Sequence, residues 1–284
     1  MTLSPLTPLL AEARVAGRAL AAFNIIQIEH AEAYAVAAER SSLPVVMQIS
    51  ENCVRYHGSL APIAAATLAI ARACSQPVVV HLDHAEDVAL VDEAVRLGLT
   101  SVMFDGSKLS DDANRETTRR VVQQCHAAGI SVEAELGEVG GKDGVHAPGV
   151  RTDPGDAARF VADTGVDALA VAVGSSHAMT ERVAVLDTDL IAAIAARVPV
   201  PLVLHGSSGV PDDGLVSAVA AGMTKVNIAT HLNQVWTEAM VARLEQSATV
   251  DTRKYLGAAR DAVADEAERL LRLLAGHQSL RRAR

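Results

Sequence analysis

Several absences narrow the reading of this sequence before any motif is considered. Lysine is scarce: Lys108, Lys142, Lys225 and Lys254 are the only four in 284 residues, and Phe, Tyr and Trp together make up 2% of the chain. The formal net charge is -9. There is no basic stripe interleaved with aromatics of the kind a nucleic-acid groove needs, so the expected partners are small polar molecules and not phosphodiester backbones. The longest apolar run, residues 60–71, is far short of the roughly 20 residues that cross a bilayer, so no membrane association is expected. Residues 1–10 lack the basic start of a secretion signal, which leads to the expectation of a cytoplasmic protein. Cys53, Cys74 and Cys125 are odd in number and far apart, which suits buried reduced thiols better than a disulfide framework or a CxxC metal site. No linker or long-period repeat interrupts the chain, and its length suits a single domain over residues 1–284.

What is present is an alternation. Short runs rich in Val, Ile and Leu alternate with longer segments of helical period, the pattern of βα units around a parallel sheet. Strands are expected near residues 21–24, 45–50, 78–83, 101–105, 131–136, 168–173, 202–205 and 225–228. Helix starts are signalled by Asp87, Asp111, Asp153, Asp187 and the cluster Pro211, Asp212, Asp213, where short acidic side chains meet orphan amides. The segment before the first strand and residues 253–275 read as extra N- and C-terminal helices. Eight such units predict an α/β fold, a single (β/α)8 or TIM barrel. An open doubly wound sheet competes, but it would carry GxGxxG after strand 1, and none is there.

Polar residues repeatedly end the runs: Asn24, Ser50, Asp83 with His84, Asp105, Glu135, His205 and Asn227. In a barrel these ends converge on the face where sites are built. His84, His177 and His205 follow strands 3, 6 and 7, and three neutral imidazoles with one open position are a set that catalytic zinc favours. The other histidines read as surface or supporting groups: His30, His57, His126, His231 and His277 in or near helices, His146 in a loop, and His81 along strand 3 with Asp83. Because neighbouring strand residues face opposite ways, Asp83 is expected not to share an ion with His84 and to serve as acid or base. Glu135 and Asp105 are placed either to supply a second metal position or to hold a ligating imidazole by its other nitrogen. The turn HGSSG, with Gly206, Ser207 and Ser208, and the run Asn227, Ile228, Ala229, Thr230 leading into a helix offer amides and hydroxyls to a phosphate.

With AFNI at Ala22, QIS ending at Ser50, HLDHAED at His81, MFDGS at Met103, EAELGEVGG at Glu133, the isolated His177, LHGSSGVPD at Leu204 and KVNIAT at Lys225, the chain resembles the class II, metal-dependent fructose- and tagatose-bisphosphate aldolases along nearly its whole length. The resemblance implies zinc on His84, His177 and His205, with Glu135 and Asp105 near an alternative divalent position and room for a monovalent cation. It implies Asp83 as the proton-exchanging group, and a substrate site including Asn24, Ser50, Gly206, Ser207, Ser208, Asn227, Ile228, Ala229 and Thr230. The implied reaction is reversible retro-aldol cleavage of a ketose phosphate to dihydroxyacetone phosphate and an aldehyde, by a homodimer or homotetramer.

Two departures stand out. Related sequences place Gly, an aromatic and Lys soon after the histidine equivalent to His177, where this chain has Ala178, Met179, Thr180 and Glu181. A carboxylate facing a phosphate is unfavourable, so this loop is expected to point elsewhere, to use Arg182, or to serve a different, even unphosphorylated, ketose. Ala229 stands where the fructose branch tends to carry Asp, as in the tagatose branch. The Gly-rich loop 137–151 holds Glu138 and Asp143, either of which suits a second proton-transfer role. Other readings fit less well. A Schiff-base aldolase needs a lysine inside the barrel, and Lys225 reads as opening strand 8 at the wrong end. A zinc-dependent barrel hydrolase commonly carries HxH on strand 1, where this chain has Ala22, Phe23 and Asn24. An inactive binding protein would have little reason to keep the metal and Asp positions together.

Overall fold

The computed structural model describes residues 2–136 and 151–276. Eight parallel strands close into a barrel in chain order: β1 Leu20–Asn24, β2 Val45–Ser50, β3 Val78–Ala85, β4 Ser101–Phe104, β5 Ser131–Leu136, β6 Ala168–Val171, β7 Leu202–Leu204 and β8 Met223–Ile228. Each expected strand is present, with ends shifted by up to two residues. The strands are nearly continuous in Val, Ile, Leu and Ala because helices cover their outer faces while the barrel interior fills the other.

Period-two alternation sorts the inward-facing residues into layers. The floor is apolar: Leu20, Ala22, Val46, Val79, Ala168, Ala170 and Val203 pack with Leu6, Leu10 and Ala13 of the N-terminal helix Leu6–Val15, which plugs the amino-terminal end. Polar residues begin above this floor, with Gln48, His81, Glu133 and Lys225 all fully buried.

Helix starts follow the acidic signals with two exceptions. Asp87, Asp153 and Asp187 each accept backbone amides at the start of Val88–Leu97, Pro154–Thr164 and Thr188–Ala195. Asp111 is instead the first helical residue, and Ser110 caps Asp111–Ala127. At Asp212–Ala221 the residue before the helix is Pro211, which has no side chain able to cap it. All three cysteines are free and buried. No described helix is long and apolar enough to cross a membrane.

The C-terminal helix Thr252–Leu274 packs along Ile28–Ser41 and Thr230–Gln246. It anchors a chain of ion pairs that runs from His231 to Glu266 (2.6 Å), Glu266 to Arg269 (2.8 Å), Arg269 to Asp212 (2.6 Å) and Asp212 to Arg182 (2.6 Å). Burial alone would raise the Glu266 carboxyl, but Arg269 and His231 outweigh it and hold its pKa at about 2, against an ordinary 4.5. A depressed folded pKa contributes stability that is complete above the unfolded value and is lost as pH falls through the folded one. Glu266→Gln should therefore lower the melting temperature at pH 7, and its deficit relative to wild type should shrink between pH 4.5 and 2. A deficit that stays constant over that range in thermal melts would show that the ion pairs do not stabilise the fold.

Candidate functional site

A cavity of about 300 Å³ opens at the carboxyl ends of the strands, its wall including Asn24, Gln48, Ser50, Asp83, His84, His177, Gly206, Ser208, Asn227, Ala229 and Thr230. Most of the expected site residues therefore do converge. The rings of His84, His177 and His205 lie within 4.7–5.9 Å of one another, centroid to centroid, in edge-on and tilted pairs. One ligand atom from each, together with one from Glu135, lies within 4.8 Å of all the others. Tetrahedral ligands with bonds of about 2.0–2.2 Å sit roughly 3.5 Å apart, so a modest contraction closes this cluster on an ion. Three imidazoles and one carboxylate suit a divalent transition metal.

The strand that carries Asp83 and His84 does not alternate as expected. The pairing of β3 with β4 shifts register between Leu82 and Ala85, and His84 takes a left-handed backbone with φ of +51°. That bulge turns two consecutive side chains toward one cavity, with His84 Nε2 3.8 Å from Asp83 Oδ1. A non-glycine residue held there carries backbone strain, which folded structures keep mainly where a site needs it. The opposite-faces argument for separating the two residues thus fails, and what distinguishes them is their partners. His84 Nδ1 lies 2.8 Å from Asp105 Oδ2, so Asp105 stands behind the imidazole as its holder and is not one of the four clustered groups.

Asp83 is held differently. Asn24 Nδ2 donates to Asp83 Oδ2 at 3.0 Å, and Gln48 Nε2 donates to Asn24 Oδ1 at 2.7 Å. Among the described residues, buried Asp83 Oδ1, Gln48 Oε1 and both amide atoms of Asn227 have no hydrogen-bond partner, as expected of groups waiting for a polar ligand. Burial pushes the Asp83 carboxyl up, but His84, His205, His81 and Lys225 outweigh it and bring it down to about 2. These neighbours hold Asp83 as a carboxylate.

His205 is fully buried and uses both ring nitrogens, Nδ1 to Glu135 at 2.8 Å and Nε2 to Glu133 at 2.9 Å. The second oxygen of Glu133 receives Lys225 Nζ at 2.7 Å. Here the sequence reading is corrected: Lys225 does not open strand 8 at the wrong end but lies inside the barrel, fully buried. Its ammonium is committed to Glu133 and is absent from the cavity wall, so it offers no Schiff-base amine. Glu133 was missed as well. Both were within reach of the two-residue period, since Lys225 precedes inward-facing Asn227 by two positions and Glu133 precedes Glu135 likewise.

The turn after β7 is built for close approach. Gly206 has φ of +65°, and a Cβ there would lie 2.5 Å from the backbone of Ser176. Ser208 faces the cavity, and its Oγ accepts the Ala229 amide at 3.3 Å. Ser207 does not face it; its hydroxyl donates to the Asn227 carbonyl at 2.5 Å and ties the turn to β8. The Ile228 side chain is packed in the hydrophobic core, so it separates two cavity residues without lining the cavity itself. Ser50 both lines the cavity and caps the helix Glu51–His57 through the Cys53 amide.

Of the altered run after His177, Ala178 lines the cavity and Met179, Thr180 and Glu181 do not. Glu181 is exposed and outside the cavity wall, and Arg182 is spent on the Val210 carbonyl and Asp212. Ala178 keeps a left-handed φ of +57°, a conformation that glycine adopts more cheaply. Of the remaining histidines, His30 stacks on Trp236, His57 meets the Ile26 carbonyl, His126 meets Asp167, His231 meets Glu266 and His81 meets Ser101. His146, His277, Glu138 and Asp143 lie outside the described residues.

A (β/α)8 barrel that gathers three imidazoles and a carboxylate at the carboxyl ends of its strands has the frame of a metal-dependent barrel enzyme. Residues 4–278 match the family model described as fructose-bisphosphate aldolase class-II. A 6-phospho-5-dehydro-2-deoxy-D-gluconate aldolase of Shouchella clausii is 40% identical over 238 residues, covering 83% of this chain and 81% of that protein. A probable fructose-bisphosphate aldolase of Bacillus subtilis is 36% identical over 272 residues, covering 93% and 94%. The crystal structure of the YdjI aldolase of Escherichia coli K12 superposes with a TM-score of 0.85 at 29% identity, covering 96% of this chain and 97% of that one. The chain belongs to the class II fructose-bisphosphate aldolase family and is a metal-dependent carbon–carbon lyase, which sets the hydrolase reading aside.

Proposed function

We propose that the protein cleaves, and in reverse forms, a ketose phosphate, with zinc held by His84, His177 and His205 and with dihydroxyacetone phosphate as the ketone half. The observation that carries the reading is the side-by-side placement of the imidazole cluster and the Gly206–Ser208–Thr230 wall in one cavity. The Shouchella clausii and Bacillus subtilis relatives are both named for phosphorylated substrates, and this end of the cavity has a glycine turn, a hydroxyl and a helix amino terminus at Thr230–Gln246 to receive a phosphate. The bound divalent ion supplies Lewis-acid stabilisation of the negative charge that develops on the ketone oxygen. Asp83 takes the proton from the hydroxyl at the carbon whose bond breaks, and returns it in condensation. Asn24 orients Asp83 through Oδ2 and leaves Oδ1 without a hydrogen-bond partner among the described residues. Gly206, Ser208 and Thr230 anchor the phosphate, and Asn227 offers its amide to the substrate's oxygens.

Condensation with an aldehyde panel tests this directly: dihydroxyacetone phosphate should be strongly preferred over dihydroxyacetone. Ser208→Ala should raise the KM for the phosphorylated donor, with metal content unchanged. Equal use of both donors would overturn the phosphate assignment and leave an aldolase for an unphosphorylated ketone.

A further inference from the structure

Between the apolar floor of the barrel and the imidazole cluster lies an ion pair that the reaction itself does not call for. Lys225 on β8 and Glu133 on β5 are both fully buried and meet across the barrel interior, with Nζ 2.7 Å from Oε2. Burying such a pair is costly, and apolar residues of similar volume often fill the same space at no loss of stability. Stability alone therefore does not account for its position. Its remaining oxygen does: Glu133 Oε1 lies 2.9 Å from His205 Nε2, while His205 Nδ1 faces Glu135. Glu135 belongs to the cluster that could hold an ion and Glu133 does not, so the two nitrogens of one ring look toward different neighbours, one toward the cluster and one toward the buried pair.

We propose that Glu133 and Lys225 are a positioning pair for His205: Glu133 accepts the Nε2–H and so presents Nδ1 to the metal, while Lys225 pins the second oxygen of Glu133 and keeps the carboxylate from turning toward the ion itself. The inference rests on the reading of His205 as a ligand given above. A hydrogen bond from the distal nitrogen of a ligating imidazole to a carboxylate fixes the ring's tautomer and orientation and raises its donor strength. The neighbouring ligand is held in a parallel way, His84 by Asp105 at 2.8 Å. The difference is that Asp105 also accepts Ser107 in its own loop, whereas Glu133 is held from a strand on the other side of the barrel.

The test measures metal affinity by chelator competition on the full chain, with the absorption spectrum of the cobalt-substituted protein as second readout, for Glu133→Gln, Lys225→Met and the double variant. Removing such a supporting group typically weakens metal binding by about 10–100-fold, and each single variant should do so and alter the cobalt spectrum. The double variant should lose less than the product of the two single losses, because the pair acts as one unit. If Lys225→Met does not fold, Glu133→Gln, nearly isosteric, decides the question. Wild-type affinity and an unchanged cobalt spectrum in folded Glu133→Gln would overturn the proposal. His84→Ala and His205→Ala serve as the reference arm. If they too bind metal normally, the ligand reading falls; if they lose it while Glu133→Gln keeps it, only the positioning role falls.

Discussion

His84→Ala should lose metal and turnover together, and chelated wild-type protein should fall to background and recover when a divalent ion is restored. His84 is one of the three imidazoles whose rings lie within 4.7–5.9 Å of one another, and its Nδ1 is held by Asp105. Alanine removes one imidazole of three and leaves the buried Asp105 carboxylate without the ring it holds. The cleaved bond leaves its electron pair on a carbon next to the ketone. Among the described residues of the cavity wall the only lysine is Lys108, ion-paired with Glu86 at 2.9 Å, so no amine there is placed to serve as the electron sink. A divalent ion held by His84, His177 and His205 would supply the stabilisation of that charge. Metal analysis and a coupled cleavage assay read the two effects separately. Full turnover in metal-free protein would end the metal reading.

Asp83→Ala should retain the metal and lose cleavage by about 10²–10⁴-fold, the usual cost of removing a positioned acid or base. Two observations separate this outcome from that of His84→Ala. Asp83 is not among the four clustered groups, and among the described residues it accepts a side-chain hydrogen bond from Asn24, which Gln48 orients in turn. Its second oxygen is buried without a hydrogen-bond partner among the described residues, and the residue itself lines the cavity. Loss of metal along with activity would make Asp83 a support of His84, only 3.8 Å away; a near-normal rate with metal bound would remove it from the mechanism.

These two predictions depend on consecutive residues that strand periodicity assigns to opposite faces. Alternation reports the direction of a side chain only while the ladder is regular, and the bulge at Leu82–Ala85 with the left-handed His84 is a local exception that no composition signal marks. The reverse error occurred at Lys225. Alternation did apply there, and counting back two residues from Asn227 places it inside the barrel. Reading Lys225 only as the residue that opens strand 8 leaves that count unused. Ser207 and Ile228 show a third limit: adjacency to cavity residues does not make a side chain a cavity residue, because the turn at 206–209 needs one hydroxyl to tie it to β8.

By itself the sequence determined the eightfold βα alternation, hence the closed barrel, and the polar residues at the strand ends, hence which face carries the site. These are properties of local period and of where each run stops, and both are written along the chain. Tertiary structure alone decided which nitrogen of His205 faces the cluster, that Asp105 holds His84, and that Lys225 reaches Glu133 from 92 residues away. Periodicity states which way a residue faces but not what it faces. Partners across a closed barrel are set by the stagger of all eight strands together, a geometric condition on the whole sheet that no single segment contains.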